Sequence, residues 1–350
     1  MTLTRESGAS LLDDFVVPGE LEASGPPESR NLARDGVRLM VASDDGITHR
    51  RFTDLALLLD PGDLVVFNNS ATLPAAVVVD DSMAIHFSTI QPEGLVVVEP
   101  RLPKGKASIP LQTVRPGRVR LPDAASIQLL APYPLRSTHR RLWLAAFDGG
   151  APLNDYLQRW GRPIRYGYVD DSYPIDAYQT VFATVPGSAE MPSAGRPFSE
   201  RVVSSLVKAG VALAPVTLHT GVSSLETGEP PYPEWFEVPE TTAALVNHTR
   251  SRSGRVVAVG TTVVRALETS VDRHGAVHSM RSWTDLVIAP DHCMGAVDGL
   301  ITGWHEPRST HLAMLEAVAG RAVLSESYRA ALDHGYLWHE FGDSLLLLRR

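Results

Sequence analysis

Polar residues follow four short apolar runs of the sequence, and their types could support acid–base chemistry and ligand binding. The first polar side chains placed in this way, in chain order, are Asn68, His219, Thr261 and His305. Histidine is a common general base near neutral pH, while amide and hydroxyl groups donate and accept hydrogen bonds. In open α/β sheets, ligands bind beyond the carboxyl ends of the strands. We therefore expect these residues to share one crevice.

The segment Gly260-Thr261-Thr262 leads directly into a predicted helix over residues 262–269. The N–H groups of a first helical turn have no partner within the helix, and together with two hydroxyls they suit a carboxylate or a phosphate. A threonine that only caps the helix would explain the same pattern. Both interpretations are open at the level of the sequence.

A second predicted helix start follows His305 and contains Arg308, Ser309 and Thr310. The two hydroxyl residues predict a helix cap, and an arginine beside a helix N-terminus would strengthen an anion site. His305 could be a general base or could bind only backbone. A second histidine at a neighbouring strand end, His219, favours the catalytic interpretation, although the two histidines are not distinguished by sequence.

The composition is typical of a globular protein of the reducing cytoplasm. The chain has 350 residues, 44% hydrophobic and 21% charged, which is enough apolar material to exclude wholesale disorder. Its one cysteine, Cys293, excludes a disulfide framework and a cysteine-rich metal site within the chain. The sequence has neither an HExxH motif nor a phosphate-binding GxxxxGK[ST] loop, and we expect no metal.

Charge and hydropathy limit the expected partners. The formal net charge of −8 does not indicate a basic nucleic-acid-binding surface. No apolar run approaches the ~18 residues that a membrane span needs, so we expect no membrane contact. The acidic first residues, interrupted by Gly and Ser, predict no secretory signal.

The spacing of apolar runs predicts two kinds of architecture. Short β-branched runs separated by Pro and Gly over residues 75–150 predict an inserted antiparallel β-barrel domain. Strands alternate with helices in the remainder, which predicts a discontinuous α/β domain from residues 1–74 and 151–350 with a largely parallel sheet. Within it we expect a loosely structured surface arm over 1–36 and a strand over 286–289. The other helices are expected at 52–59, 200–209, 241–250 and 310–319.

Six segments of the chain are distinctive when taken together: GDLVVFNNSATLPA (62–75), YQTVFA (178–183), PVTLHTG (215–221), VAVGTTVVRALE (257–268), ITGWHEPRSTHLAML (301–315) and FGDSLLLL (341–348). They resemble the S-adenosylmethionine:tRNA ribosyltransferase-isomerase family of queuosine biosynthesis. They occur in the family's order over nearly the whole chain, and the match is weak only over 75–150, where this family carries its β-barrel.

The resemblance implies an enzyme that uses S-adenosylmethionine as a ribosyl donor. A base removes a proton from the ribosyl carbon next to sulfur, and the ribosyl unit is transferred to a 7-deazaguanine in tRNA. No metal is required. With the strand-end argument, this predicts His219 or His305 as the base. The predicted substrate-binding residues are Asn68, Gly260, Thr261, Thr262, Arg265, Trp304, Arg308, Ser309, Thr310 and Asp343.

The chain also departs from the family pattern. The family's AAPTAGLHF reads EMPSAGRPF here (190–198), TNFHLPRST reads TGWHEPRST (302–310), and SYGD reads EFGD (340–343). These differences lie where a substrate is expected. They leave two alternatives open: a paralogue that acts on a small acceptor such as a 7-deazapurine, and a non-catalytic S-adenosylmethionine-binding protein.

Overall fold

The computed structural model describes residues 15–105, 107–111, 113–134, 141–222, 231–307 and 309–349. Arg308, one of the predicted substrate-binding residues, lies outside the described residues. The strands of the described part are β1 Arg38–Ser43, β2 Gly46–Arg51, β3 Leu64–Asn68, β4 Ser70–Thr72, β5 Ala76–Asp80, β6 Met83–Ile90, β7 Leu95–Lys104, β8 Ala107–Pro110, β9 Gly117–Arg120, β10 Ser126–Tyr133, β11 Leu142–Asp148, β12 Val185–Ser188, β13 Ala212–Leu218, β14 Glu234–Val238, β15 Val256–Val259, β16 Met280–Thr284, β17 Gly299–Thr302 and β18 Ser344–Leu348.

The helices confirm most of the sequence predictions. The α-helices of the described part are α1 Leu153–Trp160, α2 Glu200–Lys208, α3 Glu240–Ser251, α4 Thr261–Ser270, α5 Thr310–Ala319 and α6 Arg321–Asp333. The helix expected at 52–59 is a 3₁₀ helix, Phe52–Leu57. Helices α1 and α6 were not predicted. No helix in the described ranges combines the length and the apolar character that crossing a membrane would need.

A nine-stranded sheet organises the α/β part, in the order β16-β14-β13-β3-β15-β17-β18-β1-β2. Its central strands β13, β3, β15 and β17 run parallel. The flanks include antiparallel pairs, such as β13 with β14 and β17 with β18. The prediction of a largely parallel sheet therefore holds for the centre of the sheet, where the helix starts are located.

Both faces of this sheet are covered because alternate residues of its strands point to opposite sides. Leu64 and Val66 of β3 pack in the core beneath α3 to α6, while Val65 packs with α2 on the other face. A strand that is buried on both faces has a continuous apolar sequence, because every side chain lies in the core. This is why β3 and β15 can be recognised from the sequence.

The strand predicted at 286–289 is wrong. The strand of this region is β16, which pairs antiparallel with β14 at the sheet edge. The N–H of Leu286 bonds to the Thr284 hydroxyl, and its carbonyl accepts from Arg265. Ile288 is buried in the core without a strand partner, so its apolar character reflects packing and not strand pairing.

The arm is more integrated than predicted, in the part that the structure describes. Phe15 is 5% exposed and contacts the rings of Tyr328 and Trp338. Glu22 forms a β-bridge with Trp338. The segment after residue 14 therefore packs against the α/β core.

A second, antiparallel sheet is formed by β5 to β11. Strands β4 and β12 pair separately in a short two-stranded sheet. The strand order of the antiparallel sheet is β5-β6-β7-β11-β10-β9, with β8 also paired to β7. Strands β5 and β9 stand at the two ends of this order. The apolar face of the antiparallel sheet packs against Tyr156 and Leu157 of α1. This curved sheet lies beside the carboxyl ends of the central strands of the larger sheet, since Ser88 contacts the backbone of Val222 after β13.

Candidate functional site

A cleft of about 670 Å³ opens where β15 and β17 end and where α4 and α5 begin. Its lining includes the predicted residues Gly260, Thr261, Thr262, Trp304, His305, Ser309 and Thr310. Ligands bind at such strand ends in α/β sheets because helix N-termini converge there. The cleft thus lies at the strand ends where the sequence predicted a ligand site.

The start of α4 forms one wall of this cleft. Gly260 is its N-cap, with φ of +90°, and no side chain caps the helix. The simple threonine cap considered from the sequence is therefore wrong. A Cβ on residue 260 would also come within 3.3 Å of Ala194 Cβ. Both observations favour glycine at this position over a residue with a side chain.

The start of α5 forms the adjacent wall. The Ser309 hydroxyl accepts a hydrogen bond from the Leu312 N–H at 3.2 Å and is the predicted cap. Thr310 lines the cleft and also a smaller cavity of about 70 Å³ between the two sheets. Two helix N-termini thus face one space, an arrangement that favours an anionic group of a ligand.

His305 and His311 form a pair beside these helix starts. Their rings are stacked with centroids 4.7 Å apart, and the Thr302 hydroxyl lies 2.9 Å from His305 Nε2. Burial lowers the pKa of His311 to about 4, and burial together with His311 lowers the pKa of His305 well below its usual value. Both imidazoles are therefore neutral near pH 7, as a proton acceptor must be.

The opposite wall contains residues that the sequence analysis did not identify. Tyr168 is stacked between Tyr166, at 5.6 Å between centroids, and His339, at 4.0 Å. Its hydroxyl donates a hydrogen bond to Glu340 Oε2. The substitution of SYGD by EFGD was visible in the sequence, but only the fold brings Glu340 beside residues 166–168.

Trp304 is mainly a core residue. It is 1% exposed and packs against Tyr328 and Tyr336 at centroid distances of 5.2 and 5.6 Å. Only part of its surface lines the cleft. Its indole Nε1 is buried without a hydrogen-bond partner in the described structure.

Two of the predicted strand-end residues are outside the cleft lining. His219 Nδ1 lies 2.8 Å from the Ser70 hydroxyl, its ring stacks on Trp235, and burial lowers its pKa to about 4. Asn68 donates to Leu218 O and the Thr262 hydroxyl, and accepts from the N–H groups of Ser70 and Leu218. Its amide is fully used in joining β3, β13 and α4.

Arg265 and Asp343 are also engaged within the protein. Arg265 forms a buried ion pair with Glu234 and donates to the Leu286 and Thr284 carbonyls. It lines the smaller cavity and not the cleft. Asp343 accepts from Arg38 at 2.7 Å and from the Leu337 N–H, which joins the C-terminal strand to β1. These contacts position elements of the fold.

The charge of the cleft is unusual for a site expected to meet nucleic acid. Within the described residues its lining contains four glutamates and neither lysine nor arginine; the glutamates are Glu22, Glu190, Glu306 and Glu340. Nowhere in the described residues are three or more His, Cys, Asp or Glu side chains grouped so that they could hold a metal ion.

Comparisons with known proteins place the chain in a family. The sequence pattern of the family described as queuosine biosynthesis protein matches residues 13–347. The chain is 34% identical to the S-adenosylmethionine:tRNA ribosyltransferase-isomerase of Gloeobacter violaceus, over 96% of this chain and 94% of that protein. It is 33% identical to the enzyme of the same name from Moorella thermoacetica, over 96% and 98%.

The fold is also similar to a solved structure. The crystal structure of S-adenosylmethionine tRNA ribosyltransferase from Thermotoga maritima matches with a TM-score of 0.53 and 29% identity, covering 96% of this chain and 100% of that one. The family pattern, the full-length relatives and the fold agree. This chain belongs to the queuosine biosynthesis protein family.

Proposed function

We propose that this chain is a transferase that uses S-adenosylmethionine as ribosyl donor and modifies a 7-deazaguanine-type base in tRNA. The observation that carries the proposal is the cleft at the ends of β15 and β17, where two helix starts and a neutral histidine pair meet. The similarity to enzymes with this name over 96% of the chain supports the same assignment.

The two helix starts are suited to the methionine carboxylate of the donor. The first turns of α4 and α5 present backbone N–H groups, and the hydroxyls of Thr261, Thr262 and Thr310 line the same space. Partial positive charge at a helix N-terminus stabilises a carboxylate by about 0.3–1 kcal/mol. Arg308, next to Ser309 in sequence, is assigned to this anion site on the sequence argument alone.

His305 is the proposed base. The reaction must remove a proton from the ribosyl carbon next to the sulfonium, whose positive charge stabilises the carbanion. A neutral imidazole can accept this proton, and burial keeps the pKa of His305 low. The Thr302 hydroxyl at Nε2 and the stacked ring of His311 hold its orientation. His219 lies outside the cleft lining, and we assign it a role in positioning Ser70.

Residues 75–150 are proposed as an inserted β-barrel-like domain within an α/β domain of residues 1–74 and 151–350. The confinement of the second sheet to Ala76–Asp148 supports this division. The smaller cavity lies between Ser88 and Tyr133 of this sheet and Thr261 of α4. The insert would therefore border the substrate. A tRNA substrate fits the cytoplasmic location expected from the sequence.

The acidic lining favours a second candidate, transfer to a free 7-deazapurine-type acceptor. Four glutamates in the described lining would repel tRNA phosphates but tolerate a small cationic base. The two functions differ in their need for RNA.

The test measures S-adenosylmethionine binding by calorimetry and adenine release with tRNA, with a free aminomethyl-7-deazaguanine and with neither. Release that requires tRNA supports the first function, and release with the free base alone supports the second. If the protein does not bind S-adenosylmethionine, both are wrong.

A further inference from the structure

Glu340 occupies an exceptional position in the wall of the cleft. Its Oε2 accepts a hydrogen bond from the Tyr168 hydroxyl. Its Oε1 is buried and has no hydrogen-bond partner in the described structure. A buried carboxyl oxygen without a partner is costly, because water has been removed and nothing has replaced it. The arrangement is therefore incomplete without a donor from the ligand.

The carboxyl is held rigidly. The Tyr168 ring lies between Tyr166 and His339, with interplanar angles of 7° and 13°. This stack fixes the direction of the Tyr168 hydroxyl, which in turn fixes Glu340. All four side chains line the cleft, so the buried carboxyl and the aromatic stack that holds it border the same space.

The charges around Glu340 do not neutralise it. Burial, with a smaller contribution from the negative charge of Glu190, raises the pKa of Glu340 to about 7, while the hydrogen bond from Tyr168 acts in the opposite direction. Burial lowers the pKa of His339 to about 4, so this neighbouring imidazole is neutral near pH 7. The described cleft lining has neither lysine nor arginine. With a pKa of about 7, Glu340 is divided between its neutral and charged forms near pH 7, and a cation bound in the cleft would favour the charged form.

We propose that Glu340, oriented by Tyr168, is the subsite for a primary ammonium group of the ligand that occupies this cleft. An ammonium group supplies both the missing hydrogen-bond donor and a positive charge that favours the ionised carboxyl. An anion would be repelled. The site deepens the proposed function and depends on it for the source of the ammonium, which is either the methionine part of the donor or the amine of the acceptor.

The test compares the wild type with Glu340→Gln, which keeps the shape and the acceptor for Tyr168 but removes the negative charge. The probes are benzylamine, benzyl alcohol and S-adenosylmethionine, each titrated by calorimetry. Glu326→Gln is the matched control, because Glu326 is exposed on α6 and outside the cleft lining. Circular dichroism checks that each variant is folded.

We expect the wild type and Glu326→Gln to prefer benzylamine over benzyl alcohol by about tenfold, and Glu340→Gln to lose this preference. A weaker affinity of Glu340→Gln for S-adenosylmethionine identifies the donor ammonium. An unchanged affinity with a raised KM for the acceptor identifies the acceptor amine.

Two results would overturn the subsite: a wild type that does not prefer benzylamine, or a Glu340→Gln variant that keeps the preference. The proposed function fails separately. If the wild type shows the Glu340-dependent preference but binds no S-adenosylmethionine, the ammonium subsite stands and the ribosyl-transfer assignment is rejected.

Discussion

His305 and His311 lie face to face in the cleft, with ring centroids 4.7 Å apart and an interplanar angle of 20°. One histidine follows β17 and the other is the second residue of α5, so the turn between strand and helix creates the pair. A proton on either ring would repel a proton on the other, and burial opposes both. The pair is therefore kept neutral beside two helix starts.

This geometry predicts different roles for the two histidines that the sequence could not separate. In His305→Gln, the rate of adenine release from S-adenosylmethionine should fall by about 100-fold or more, since a general base contributes about 10²–10⁴-fold. The donor Kd should change little. In His219→Gln, the rate should stay within a few-fold, because His219 contacts Ser70 and Trp235 outside the cleft lining. Single-turnover assays and calorimetry measure both quantities. The opposite pattern would make His219 the base.

The sequence located the cleft because strand-end residues can be recognised one run at a time. Apolar runs buried on both faces identify β15 and β17, and Gly260 and Ser309 mark the helix starts that follow them. Which polar side chains face the cleft depends on the tertiary structure and cannot be deduced from one run of residues. Asn68 is the last residue of β3, a correctly predicted strand, yet its amide is used entirely within the protein.

The other wall could not be predicted for the same reason. Tyr168 and Glu340 are 172 residues apart in sequence, and no periodic pattern connects them. The strand expected at 286–289 failed because an apolar run has the same composition whether it pairs with a strand or lies in a loop, and in this run only Ile288 is buried. Long-range contact and the choice between pairing and packing are properties of the whole fold.

Gly260→Ala should weaken the binding of S-adenosylmethionine in addition to lowering the free energy of unfolding. A side chain at φ of +90° costs about 1–2 kcal/mol. The new Cβ would also press on Ala194, at 3.3 Å, and shift the first turn of α4. The matched control is Gly320→Ala, since Gly320 has φ of +78° at a helix start but no heavy atom within 4 Å of a Cβ.

Thermal unfolding and donor titration check this prediction. Gly260→Ala should lose somewhat more stability than Gly320→Ala because of the contact with Ala194, and only Gly260→Ala should bind S-adenosylmethionine more weakly. Equal donor affinity in the two variants would show that the start of α4 does not contact the donor.

Asn68→Ala should destabilise the fold by about 2–3 kcal/mol, because it leaves several buried backbone groups without partners. The lost contacts are those to Ser70 and Leu218 at 2.9–3.1 Å. Asn69→Ala is the control, since the Asn69 side chain accepts a hydrogen bond from the Thr217 hydroxyl at 2.7 Å. Its loss should cost about 1 kcal/mol. Urea unfolding measures the free energy of unfolding of both variants. If Asn68→Ala loses no more stability than Asn69→Ala, the Asn68 amide does not hold β3, β13 and α4 together as proposed.

Acid should destabilise the second sheet through His86, which is 5% exposed on β6. Burial, together with the positive charge of Arg101, lowers the pKa of His86 to about 3. The unfolded chain has a histidine pKa of about 6.5, so it binds the proton first as the pH falls. His86 is neutral in both states above about pH 6.5 and has no effect there. Below that pH it lowers the free energy of unfolding by about 1.4 kcal/mol per pH unit, until the pH reaches the folded pKa.

His86→Gln removes this titration and keeps a polar side chain on β6. Urea unfolding of the wild type and the variant at about pH 7.5, 6 and 5 compares the slopes. The slope and not the midpoint carries the prediction, because the altered packing of the variant also changes its stability at neutral pH. We expect the wild type to lose stability more steeply by about 1 kcal/mol per pH unit between pH 6 and 5. Parallel curves would mean that His86 binds a proton in the folded protein as readily as in the unfolded chain, which its burial beside Arg101 opposes.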